Sequence, residues 1–211
     1  MKNVMIFGDS YSTFAGAIPE GYAVYYSGKR DRGPDINSAD ESWWGLLMNE
    51  TGATLVRNDS WSGSTIGYTG YNGADTSKTS SFNYRIEKLN DEGFFEKNDI
   101  DTVFVFGGTN DSWSDAPLGE EKTEGITRQD LYSVLPAIGN FFARLRQILP
   151  DATIYGICNC NIKSEIVRAT VNACERIGAK AIVLKDIDKL NGHPTPLGME
   201  HIKDQVKAVI D

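Results

Sequence analysis

Five short apolar runs, each rich in β-branched or aromatic residues, recur along the chain at residues 4–7, 54–56, 102–106, 153–157 and 181–184. Runs this short and this continuous suit strands that are covered on both faces, as in a parallel sheet. The segments between them carry helical period. Residues 130–149 place Leu131, Val134, Leu135, Ile138, Phe142, Leu145 and Leu149 on one stripe, with Pro136 expected to kink the helix or to open its second part. Residues 163–177 align Ile166, Thr170, Ala173 and Ile177 ahead of Gly178, a natural stop. Residues 195–210 begin with Thr195 as cap and Pro196 in the first turn. Residues 43–50 read as a further helical segment. Strand and helix in alternation predict a doubly wound, three-layer α/β/α domain, and 211 residues suffice for one such domain with a large core.

In sheets of this kind chemistry gathers in the loops at the carboxyl ends of the strands. Three of these loops are long, at about 10–40, 60–81 and 111–129, and all are rich in Gly, Ser, Thr, Asp and aromatic residues. Long ordered loops in a compact domain are usually functional. The first opens with Gly8-Asp9-Ser10, which in isolation is common turn punctuation. The second contains Ser62-Gly63-Ser64, where a glycine can offer an unhindered backbone N–H. The third opens with Gly107-Gly108-Thr109-Asn110-Asp111, where the Asn110 amide can aim a donor at a developing oxyanion or serve only its own turn. After the fifth run comes Gly192-His193-Pro194. A serine hydroxyl needs a base within hydrogen-bond reach. Only two histidines exist, and His193 stands in a loop whereas His201 falls about two turns into the next helix.

Ser10, Gly63, Asn110 and His193, in that order and in four loops at one sheet edge, resemble the SGNH hydrolases, also called the GDSL family of esterases and lipases. The resemblance runs over almost the whole chain. It implies a flavodoxin-like sandwich with a five-stranded parallel sheet. It also implies a serine esterase that hydrolyses O-acyl esters through an acyl-enzyme intermediate, with no cofactor and no metal. By the same likeness Ser10 is the nucleophile and His193 its base. The oxyanion is held by the N–H groups of Ser10 and Gly63 and by the Asn110 amide. The sequence departs from the family at one point. An aspartate is usual three residues before the histidine, and here that position is Leu190. The neighbouring carboxylates, Asp188 and then Asp186, are the expected orienting groups; the other possibility is that a backbone carbonyl holds the ring.

Aromatic residues crowd the same rim, and Tyr11, Trp61 and Trp113 are the expected substrate contacts, alongside Tyr68 and Tyr71. Of Trp43 and Trp44 at least one belongs to the core. Aromatic faces among small polar side chains suit a sugar ring or an acyl chain, so deacetylation of a carbohydrate leads, with lysophospholipid, short-chain or thioester hydrolysis beside it. A formal charge of −8 argues against nucleic acid as a partner. No run is long enough to span a membrane, and residues 1–7 are too short an apolar stretch for a secretory leader. Cys158, Cys160 and Cys174 form no metal-like pair, the first two being expected side by side on one strand face as reduced thiols, and a cytoplasmic setting is expected. No Gly-x-Ser-x-Gly elbow, Walker A loop or dinucleotide fingerprint is present. The alternatives from other classes are a non-catalytic sugar-binding relative and a flavodoxin-like cofactor protein, the latter leaving His193 without a purpose. The oligomeric state is not written in the sequence.

Overall fold

The computed structural model describes residues 1–29 and 35–210; part of the first long loop, residues 30–34, lies outside the described residues. The chain runs β1 (Asn3–Gly8), α1 (Trp43–Thr51), β2 (Thr54–Ser60), α2 (Phe82–Asp91), α3 (Phe94–Lys97), β3 (Thr102–Gly107), α4 (Thr109–Trp113), α5 (Val134–Ile148), β4 (Thr153–Cys158), α6 (Ser164–Arg176), β5 (Lys180–Val183), a ribbon of β6 (Lys189–Leu190) and β7 (His193–Pro194), and α7 (Pro196–Ile210). Strands β1 to β5 pair in parallel in the order β2-β1-β3-β4-β5. All five expected strands are present.

Period-two alternation explains the three layers. On β1 and β3, Met5, Phe7, Val103 and Val105 face a core closed by α2, α5 and α6. Val4, Ile6, Phe104 and Phe106 face the opposite core, closed by α1 and α7. Both Trp43 and Trp44 are buried there, and their indole N–H groups donate to Ser12, the hydroxyl for Trp43 (3.1 Å) and the carbonyl for Trp44 (2.9 Å).

Local chemistry sets the helix ends. Ser42 caps α1 through the Gly45 N–H (3.0 Å), and Thr195 caps α7 through the Gly198 N–H (3.2 Å). The stripe at 130–149 resolves into a 3₁₀ turn at Asp130–Tyr132 followed by α5. Pro136 sits in the first turn of α5, where its missing N–H leaves no bond unmade. Helix α2 is an element the apolar pattern does not announce, although Ser81 caps it and Phe82, Ile86 and Leu89 are buried along one side. Cys158 ends β4 in the core, but Cys160 lies beyond the strand and is half-buried, so the two thiols do not share a strand face. Among the described residues no helix is long and apolar enough to cross a membrane.

The strand order reverses at β1 and β3, the point where open α/β sheets leave a crevice beyond their carboxyl ends. Ser10 lies two residues past β1, and Asn110 stands in the first turn of the helix that follows β3.

Candidate active site

Strand β1 delivers Gly8 at its tip, where any side chain would meet Ser60 Oγ and come within 2.7 Å of Ser12 Cβ. That lack of space lets the chain fold tightly into the 3₁₀ turn Ser10–Ser12. Asp9 caps the turn by accepting from the Tyr11 N–H (3.0 Å), and Asn58 Nδ2 donates to the Ser12 carbonyl (2.8 Å). The Asp9 carboxyl is wholly buried, and burial pushes it up to about 7 against the Tyr11 N–H, which favours the anion. Ser10 is therefore held on a rigid turn.

His193 is presented by the smallest element of the fold. Leu190 pairs with His193 across the β6–β7 ribbon, and Asn191 and Gly192 form its turn with φ of +51° and +81°. Two successive positive φ values mark the type I′ geometry that matches the twist of a two-residue hairpin, and Asn-Gly is its preferred sequence. The ribbon brings His193 Nε2 to 3.0 Å from Ser10 Oγ across 183 positions of sequence.

Of the expected orienting groups, neither carboxylate meets the ring and a backbone carbonyl faces it. Nδ1 of His193 faces the carbonyl of Asn191 at 3.4 Å. Asp188 instead accepts from the Thr195 hydroxyl, while its carbonyl accepts from the Thr195 N–H (3.1 Å). The Asp186 carbonyl accepts from His201 Nδ1 (3.2 Å). Both aspartates are exposed at the foot of the ribbon, as is Leu190 in the ribbon itself. With Nδ1–H turned to a carbonyl, Nε2 is left as the acceptor for the serine hydroxyl. Burial lowers the imidazole from its ordinary value; the Asn191 carbonyl opposes this, and the charge of Lys189 adds to it. A neutral ring near pH 7 is what a base requires.

The remaining residues form a connected wall. Asn110 Nδ2 donates to the Ser64 carbonyl (2.9 Å) and its Oδ1 accepts from the Tyr71 hydroxyl (2.8 Å), which fixes the amide at both ends and leaves its second N–H without a partner among the described residues. Gly63, at φ +80°, lies in the turn closed by the Ser64 N–H on the Trp61 carbonyl (3.1 Å). Two buried groups, unassigned from sequence, hold this wall. Asp111 accepts from the N–H of Ile66 (2.9 Å) and of Gly67 (3.1 Å). Arg85 on α2 pairs with Asp59 (2.8 Å), and also donates to the carbonyls of Gly8 (3.2 Å) and Ser80 (2.8 Å) and to the Ser64 hydroxyl (3.3 Å). A lone Asp or Arg carries no periodic signal, although Asp111 stands within the glycine-rich block after β3.

The aromatic expectations divide. Tyr11 is fully buried and spends its hydroxyl on the Gly192 carbonyl, so it is a support and not a substrate contact. Trp113 is 39% exposed and stands edge-on to His193, with ring centroids 5.9 Å apart. Trp61 is half-buried against Tyr22 (4.2 Å), Tyr68 is buried, and Tyr71 is exposed. Among the described residues no group of three or more His, Cys, Asp or Glu side chains is arranged to hold a metal ion.

Comparison with known proteins identifies the family. The sequence model of the GDSL-like lipase/acylhydrolase family matches residues 2–210. A protein described as a GDSL-like lipase from Bacteroides ovatus is 37% identical, with a TM-score of 0.91 over 100% of this chain and 98% of its own. One from Bacteroides uniformis is 40% identical, with a TM-score of 0.90 over 100% and 95%. An acetyl xylan esterase from the rumen bacterium Butyrivibrio proteoclasticus shares the fold at 16% identity, with a TM-score of 0.63 over 99% of this chain and 63% of its own. No curated protein sequence matches the chain. The chain belongs to the GDSL-like lipase/acylhydrolase family of hydrolases.

Proposed function

We propose that the protein is a serine esterase that removes a small O-acyl group, with an acetylated carbohydrate as the leading substrate class. The reading rests on one observation, the 3.0 Å separation of Ser10 Oγ and His193 Nε2 at the crevice of the sheet. Ser10 attacks the ester carbonyl as His193 takes its proton. The oxyanion is received by the N–H groups of Ser10 and Gly63 and by the free N–H of Asn110. His193 then protonates the departing alcohol, and water repeats the sequence on the acyl-Ser10 ester. No step calls for a metal or organic cofactor.

Support for the substrate class comes from the rim, where Trp113 and Tyr71 stand exposed beside small polar side chains. The same fold in an acetyl xylan esterase points the same way. Hydrolysis of p-nitrophenyl acetate and of acetylated xylo-oligosaccharides tests the reading, with longer acyl chains as comparison. Ser10→Ala and His193→Ala should each lower kcat on the order of 10⁴–10⁶-fold, and Asn110→Ala about 10²–10³-fold. Turnover that survives in Ser10→Ala removes the nucleophile from the scheme. A preference for acyl chains of lipid length would replace the carbohydrate assignment.

A further inference from the structure

In a serine hydrolase triad a carboxylate on Nδ1 does two things: it stops the imidazole turning about its own bond, and it stabilises the imidazolium that forms. Here neither nearby carboxylate reaches the ring, and the Asn191 carbonyl stands at 3.4 Å, longer than the ordinary 2.7–3.2 Å range for N–H···O. Something else must hold the base.

The first long loop supplies it. The phenol ring of Tyr25 lies flat on the imidazole of His193, with centroids 3.6 Å apart and planes 7° from parallel. Tyr25 is anchored by its own N–H to the Thr13 hydroxyl (2.9 Å), a group that itself donates to the Ser10 carbonyl (3.1 Å). The stack is thus tied to the nucleophile's own turn. The adjoining Tyr26 is buried, and its hydroxyl donates to the Pro194 carbonyl (2.8 Å), while Tyr11 does the same for Gly192. The two peptide carbonyls that flank His193 are therefore both latched by tyrosines of the segment that carries Ser10. Trp113 stands edge-on on another side of the imidazole.

We propose that Tyr25 is the positioning residue of the base: its stacked ring replaces the missing carboxylate by fixing the rotation of His193 and by stabilising the imidazolium through its π face. The inference rests on the esterase reading and deepens it. Stacking blocks rotation of the imidazole about its Cβ–Cγ bond, because any turn out of plane drives its edge into the phenol face. A cation over an aromatic face within about 6 Å is attracted by the ring quadrupole. The charged side chain that bears on the same imidazole is Lys189, whose ammonium lies 5.5 Å from the centroid of Tyr11 and disfavours the cation. The phenol face works against that repulsion. The tyrosine hydroxyl takes no part, so a phenylalanine should serve.

The test compares Tyr25→Phe, Tyr25→Trp and Tyr25→Leu on p-nitrophenyl acetate. Tyr25→Phe should keep kcat within about threefold, and Tyr25→Trp should rescue most of it. Tyr25→Leu should lower kcat by roughly 10–10²-fold, the scale of a slightly misplaced catalytic group, with KM little changed. A second readout needs no turnover. In Ser10→Ala protein, the imidazole carbon-bound protons of His193 should show upfield ring-current shifts. Those shifts should persist when Tyr25→Phe is added and vanish when Tyr25→Leu is added. Wild-type kcat in Tyr25→Leu, or a Tyr25→Phe enzyme as impaired as Tyr25→Leu, overturns the proposal. Absence of the upfield shift overturns it as well. An inert wild-type protein that still shows the shift counts against the esterase reading and leaves the ring-on-ring placement standing.

Discussion

Ser10 and His193 can be paired from sequence because each sits in a short, glycine-bearing block after an apolar run, and only two histidines compete. What orients His193 cannot be read that way. Asp188 is five positions away in sequence, yet its carboxylate is taken by Thr195. Tyr25 is 168 positions away and lies flat on the ring. Sequence proximity favours a different residue, since the ring contact is made by a loop whose path follows no period. Tyr11 misleads for a related reason: its neighbours are polar rim residues, but the 3₁₀ turn directs its side chain inward, where burial raises its hydroxyl well above its usual value. Two predictions belong at this scale. Asp188→Asn should cost less than about tenfold in kcat, against the roughly 10⁴-fold lost when a true triad aspartate becomes asparagine. The acid limb of kcat/KM should have its midpoint below about 6.5, the free imidazole value, because burial disfavours the protonated base. A profile measured with a neutral ester checks the second.

The elements are legible where their patterns are local. The sheet strands, α1, α5, α6 and α7 follow from apolar runs and caps. Helix α2 escapes such a reading because it is mostly polar, carrying its buried residues among Asn, Arg, Glu and Lys. The ribbon escapes it too, although Asn191-Gly192 is the strongest short hairpin signal a sequence offers. Its neighbours, Leu190 and Pro194, give no run of alternating residues to frame it. The ribbon's turn makes a sharp prediction. Gly192 has φ +81°, and a methyl group there would come within 3.2 Å of the Trp113 ring. Gly192→Ala should lose about 1–2 kcal/mol from the left-handed backbone alone. Its kcat should fall by more than its melting temperature suggests, since the strain lands one residue before the proposed base. Paired thermal melts and kinetics on the same preparation separate the two effects.

At the scale of the whole molecule, buried charge links the site to stability. Arg85 and Asp59 are both fully buried and paired, and Arg85 also reaches Gly8, Ser64 and Ser80. Arg57 also pairs with Asp59 (2.8 Å), so Arg85→Met leaves that carboxylate half-paired and the carbonyls of Gly8 and Ser80 without their donor, a loss of about 1–3 kcal/mol measured by denaturant unfolding. Asp9 acts through pH. Its folded value of about 7 lies above the roughly 3.9 of the unfolded chain, so the folded state holds a proton that the unfolded state has released. Stability from this group is full below that lower value and is lost as pH rises through about 7. Asp9→Asn keeps an acceptor for the Tyr11 N–H and removes the titration. The melting temperature of the variant relative to the parent should therefore climb between pH 4 and pH 8. A difference that stays flat across that range would show that Asp9 does not carry the buried proton.

The foot of the β6–β7 ribbon is buckled shut, since Thr195 grips Asp188 through both its N–H and its hydroxyl. A buckled strap transmits no slack from its attachments. Insertions before Lys185 or trimming at the far end of α7 should therefore leave the imidazole where it is, while Thr195→Val, which removes the hydroxyl grip and keeps the N–H, should loosen only the foot of the strap, its tip staying latched by Tyr11 and Tyr26. Ser10 and His193 are thus insulated from α7 by Thr195 at the foot of the ribbon and by two tyrosines at its tip.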